Sequence, residues 1–125
     1  MSDDFAVVFS ALKSLFTKQA PELSVTTDNE NGYILHSKSA SSFPQHKGQP
    51  LYFGGVRVGA AYVSFYLMPL YMCPTLNQGI SQALKKRMQG KSCFNFKTVP
   101  SPELLAELGQ LTEAGFRKWS ADGWL

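Results

Sequence analysis

Residues 51 to 68, LYFGGVRVGAAYVSFYLM, have fewer ways to fold than any other part of the chain. Valine, phenylalanine and tyrosine alternate on both sides of Gly59 and Ala60, the pattern of two strands joined by a tight turn. The first arm contains a conflict of phase. Leu51 and Phe53 are apolar at odd positions and Val56 and Val58 at even ones, and a slip of one residue turns a strand inside out. A β-bulge at Gly54 and Gly55 resolves the conflict: glycine tolerates the backbone angles of a bulge, and both apolar pairs then face one core. In the second arm Ala61, Val63, Phe65 and Leu67 share the core face, and Tyr62, Ser64, Tyr66 and Met68 share the other.

The flanking segments supply a helix at each end. From Asp3 to Gln19, Phe5, Val8, Phe9, Leu12, Leu15 and Phe16 recur at spacings of three and four, so they line one helical face. Ser2 or Asp3 caps this helix and Pro21 stops it. Two strands follow, about Leu23 to Thr27 and Tyr33 to Lys38, joined by the turn-forming DNENG, and SASSFPQHKGQP after them is a loop by composition. Beyond the hairpin, Pro69 and Pro74 bracket a short irregular piece. A helix of two to three turns starts near Ser81, with Ile80, Leu84 and Met88 as its apolar seam and Gly90 past its end. SCFNFKT is a further strand. Ser101 then caps a terminal helix with Pro102 in its first position and Leu104, Leu105, Leu108, Leu111, Phe116 and Trp119 on its buried face. The expected fold is one α+β domain over residues 1–125: a two-layer arrangement with an antiparallel sheet, the N- and C-terminal helices on one face, and a short helix before the last strand.

At 125 residues, with 44% apolar and 17% charged side chains, the chain can bury one core without staples. No apolar run approaches the roughly 20 residues of a membrane helix, and the start MSDDFAVVFSALK is acidic where a signal peptide is basic, so a cytoplasmic protein is expected. Cys73 and Cys93 form no C-x-x-C pair and read as reduced, buried thiols. His36 and His46 have no cysteine near them, so zinc is set aside, and no cofactor is implied.

The net charge of +3 conceals an uneven layout. Between Asn31 and Pro102 there is no Asp or Glu, whereas Lys38, Lys47, Arg57, Lys85, Lys86, Arg87, Lys91 and Lys97 all fall there. Either the acidic terminal helices lie beside the basic middle and balance it in space, or the middle presents an anion-binding surface.

Extending the strand parity to the neighbours turns Phe94 and Phe96 inward. It leaves Tyr52, Arg57, Cys93, Asn95 and Lys97 on the side of Tyr62 and Tyr66. That outer face can serve cross-strand packing or a homodimer. As a binding platform of Tyr52, Arg57, Tyr62, Tyr66, Asn95 and Lys97, it can stack a small planar anionic ligand or single-stranded nucleic acid. A catalytic reading pairs Cys73 or Cys93 with His36, but cysteine in an apolar strand is usually a small hydrophobe. Met68, Met72 and Cys73 are soft ligands of the kind Cu(I) takes, although methionine beside tyrosine is ordinarily packing.

YVSFYLMPLY, followed by the basic ISQALKKRMQGK, then SCFNFK and a leucine-rich terminal helix, resembles the YdhG-like family of small bacterial domains of unknown function. The similarity runs from about Tyr33 to Trp119 and is clearest from Gly54 to Lys97. The resemblance implies a small α+β domain with an antiparallel sheet and, through members likened to frataxin, an iron-chaperone role. Iron handling of that kind wants a ridge of carboxylates, because hard cations prefer oxygen donors. Here only Asp3 and Asp4 pair, at a helix start where the helix dipole attracts acids anyway. The reading drawn from the chain is a non-enzymatic binding protein that uses the outer sheet face. A frataxin-like iron chaperone is the alternative, and a cysteine-dependent enzyme a more distant one.

Overall fold

The computed structural model describes residues 2–40, 50–90 and 92–122. Helix α1 (Ser2–Lys13) is followed by strands β1 (Ser24–Asn29), β2 (Gly32–Ala40), β3 (Pro50–Val58) and β4 (Val63–Leu67). The short helices α2 (Met68–Met72) and α3 (Gln82–Lys85), strands β5 (Met88–Gln89) and β6 (Cys93–Phe96), and helix α4 (Pro102–Ala121) complete the order. The strands form one open antiparallel sheet in the order β1-β2-β3-β4-β6-β5.

Both terminal helices pack on one face. Val8 and Leu12 of α1, Phe16, and Leu108 and Trp119 of α4 share a core with Phe53, Val56, Val63, Phe65, Leu67, Phe94 and Phe96. Phe16 stacks on Phe65 with ring centroids 4.9 Å apart, and Phe53 meets Trp119 edge-on at 5.5 Å. Such pairs add roughly 0.5–1.5 kcal/mol beyond the area they bury. Gly115 lets α4 approach α2, because a Cβ there would lie 2.7 Å from the Pro69 ring. Ser101 caps α4 by accepting from Leu104 N, with Pro102 in the first turn.

The phase conflict in β3 is resolved by a bulge, one residue earlier than the two glycines imply. Leu35 opposes Gly54 and His36 opposes Tyr52, so Phe53 is the extra residue, while the β3–β4 ladder stays regular from Gly54 to Val58. Phe53 and Gly54 both turn toward the core, and the Phe16 ring occupies the space over Gly54. Ala61 is exposed, contrary to the parity reading, because Gly59 to Tyr62 form the turn and the alternation begins only at Val63.

Other boundaries differ for local reasons. After Lys13 the first helix tightens to a 3-10 turn, Ser14–Phe16, where the Ser14 and Thr17 hydroxyls bond the carbonyls of Ala11 and Ser14. The piece between Pro69 and Pro74 is helical over Met68–Met72, since proline suits a first helical turn. The helix near Ser81 is a single turn. Beyond it the chain enters β5, and Gly90, at φ 77°, helps reverse the chain into β6 instead of ending a helix. A left-handed glycine serves either purpose, which is why composition alone points to the wrong one. Of the expected loop 39–50, Ser39, Ala40 and Pro50 belong to strands, and 41–49 lie outside the described residues. No described helix is long and apolar enough to cross a membrane.

Candidate functional site

The strand period decides which side chains leave the core. In β4 Val63, Phe65 and Leu67 are buried, while Ser64 and Tyr66 stand half-buried on the opposite face. The ladders extend this outer face sideways. Arg57 opposes Ser64 and Ser64 opposes Asn95; Gly55 opposes Tyr66 and Tyr66 opposes Cys93. The buried surfaces of α1, α3 and α4 all contribute to the core on the other side.

Two clusters occupy the outer face. In the first, the half-buried Tyr52 packs its ring 5.6 Å from that of His36, whose Nδ1 lies 2.9 Å from Thr26 Oγ1. Burial raises the Tyr52 phenol far above the usual tyrosine range, and the nearby Tyr66 and Cys93 push the same way. Burial also lowers the His36 pKa. At neutral pH this cluster is therefore uncharged, a packed floor more than a recognition surface.

The second cluster is a groove of about 330 Å³ at the β5 edge. Tyr62, Asn95 and Lys97 line it together with Lys86, Arg87 and Gln89, and Met88 supplies apolar wall. Tyr62 is 42% exposed, and the Lys97 ammonium stands 5.8 Å from the centre of its ring. Asn95 anchors the floor: its Nδ2 donates to Gln89 Oε1 at 2.7 Å, and its Oδ1 accepts from Ser64 Oγ at 2.7 Å. Its backbone N donates to Arg87 O at 2.8 Å, which holds the edge carrying Arg87 beside β6.

Among the described residues, no carboxylate lines the groove. The ion pairs among the described residues join Lys13 to Asp28, Lys18 and Arg117 to Glu113, and Lys118 to Asp122. Every base in them belongs to the terminal parts of the chain. Glu107 is also engaged, accepting from the N and Oγ of Ser81. Among the described residues, Arg57, Lys86, Arg87 and Lys97 have no acidic partner, so the acidic ends do not neutralise the basic middle at this face.

The six residues singled out from the sequence are thus divided. Tyr62, Asn95 and Lys97 meet in the groove, Arg57 and Tyr66 stand on the adjoining face, and Tyr52 belongs to the His36 cluster. Lys86, Arg87 and Gln89 escaped sequence reading because their segment reads as helix. The signal that places them is Gly90 three residues before Cys93, a spacing compatible with a hairpin.

Burial raises the Cys93 thiol, against opposing hydrogen bonds with Ser64 and Tyr66, and burial likewise raises Cys73. Among the described residues no three of His, Cys, Asp and Glu gather where they could hold a metal ion. The side chains of Asp3 and Asp4 lie outside those described.

Fold and face together define a two-layer α+β domain with an aromatic, cationic patch on its sheet. Comparison with protein-family models, with curated proteins and with solved structures finds no match for this chain.

Proposed function

We propose that the protein is a non-enzymatic binding protein that takes a planar anionic ligand in the groove at the β5 edge. One observation carries this reading: Lys86, Arg87 and Lys97 converge, with no acid among the described lining residues, beside an exposed tyrosine ring and two side-chain amides. The cations attract the anion, the Tyr62 ring offers a stacking surface, and the Asn95 and Gln89 amides offer hydrogen bonds to the ligand's polar edge. Iron cargo, which the YdhG-like resemblance implies, would draw on carboxylates, and the described residues of this lining include none.

Calorimetric titration with a nucleoside monophosphate tests the reading. Heat of binding is expected for the parent, with affinity lost in Lys97→Ala and in Tyr62→Ala. A parent that gives no heat and sediments as a dimer, split by Tyr66→Asp, would replace ligand binding with self-association through this face.

A further inference from the structure

The positive charge does not stop at the groove. Arg57 opposes Ser64, Ser64 opposes Asn95, and the backbone N of Asn95 bonds Arg87 O, so these residues form one row across β3, β4, β6 and the β5 edge. At ~4.8 Å per strand, Arg57 stands about 10 Å from Asn95 and about 14 Å from the Arg87 backbone. The row has an exposed arginine at each end. Its middle is neutral, with Ser64 Oγ donating to Asn95 Oδ1. A mononucleotide held in the groove by Lys86, Arg87 and Lys97 brings a single phosphate and leaves Arg57 unused. A polymer with repeating phosphates engages both ends of the row at once.

We infer that the ligand of this face is single-stranded nucleic acid whose backbone crosses the β-strands from Arg57 to the groove, with an unpaired base on Tyr62. The inference rests on the binding reading above and names its ligand class. An unpaired base is required because a duplex keeps its bases stacked on each other, out of reach of the Tyr62 ring.

Fluorescence anisotropy with labelled oligothymidylate of roughly ten nucleotides tests it, with thymidine monophosphate and a matched duplex as competitors. The strand is expected to bind at least about tenfold more tightly than the mononucleotide, with affinity falling steeply between about 50 and about 200 mM salt. Arg57→Gln is expected to reduce the log–log salt slope by about 0.7 and Arg57→Lys to restore it, while mononucleotide affinity changes less than about twofold. Tyr62→Ala is expected to weaken both ligands by about fivefold or more. If the mononucleotide binds as well as the strand, or Arg57→Gln leaves the slope unchanged, the crossing path is wrong and the groove reading survives. A duplex that competes as well as the strand overturns the stacking of an unpaired base. If neither mononucleotide nor strand binds, both readings fall.

Discussion

Replacing Gly54 with alanine tests the bulge that puts the two halves of β3 on one core. In an unobstructed strand, alanine is the better residue by roughly 0.5–1 kcal/mol, because glycine loses more backbone freedom on folding. The structure reverses that sign. A Cβ on Gly54 would lie 2.5 Å from the Tyr66 carbonyl oxygen and 3.2 Å from two carbons of the Phe16 ring. The carbonyl belongs to the β3–β4 ladder, and Phe16 is fully buried and stacked at 4.9 Å on Phe65, so neither can withdraw without disturbing its own packing. Overpacking of this kind costs roughly 1–3 kcal/mol, and a backbone obstacle places the cost toward the upper end. Setting this against the propensity gain leaves a net loss of about 1–2 kcal/mol, or about 4–8 °C in Tm for a chain of this size. Urea unfolding followed by circular dichroism should show a lower midpoint with an unchanged slope. Gly79→Ala is the control, since a Cβ there meets nothing within 4 Å, and it should stay within about 0.5 kcal/mol of the parent. A Gly54→Ala variant as stable as the parent would refute both the bulge and the placement of Phe16 over it.

Gly90→Ala should cost about 1 kcal/mol in thermal unfolding, because φ 77° is a left-handed conformation that a Cβ disfavours. His36 has a lowered pKa in the fold, so the unfolded chain binds its proton more readily. Stability should hold above pH ~6.5 and decline as the pH falls below it, and urea midpoints for His36→Gln should show a shallower decline. Because burial raises both thiols, alkylation of the folded protein at neutral pH should be slow at Cys73 and Cys93 and accelerate on unfolding, as mass spectrometry of labelled peptides would show. Removing the α4 cap with Ser101→Ala should lower stability by about 1 kcal/mol in urea.

Features that depend only on neighbouring residues are legible along the chain. The period of two in VSFYL dictates that Phe65 and Leu67 go inward and Ser64 and Tyr66 outward, whatever stands beside the strand. Ser101 followed by Pro102 starts a helix because cap and first turn are satisfied within a few residues. The antiparallel α+β fold follows from such signals, since short turns between strands leave little other choice. Features that depend on distant partners emerge only in the packed fold. ALKKRMQ has enough helical character to read as two or three turns, yet Met88 and Gln89 leave the helix to pair with Phe94 and Cys93. That pairing satisfies backbone groups along β6, which would otherwise be a bare sheet edge. The same choice sets Lys86 and Arg87 beside Lys97 and Asn95 and so creates the groove. The charge layout follows the same division. Composition shows the acids confined to the chain ends, but only the packed structure pairs Asp28, Glu113 and Asp122 with Lys13, Lys18, Arg117 and Lys118 and leaves the outer sheet face positive.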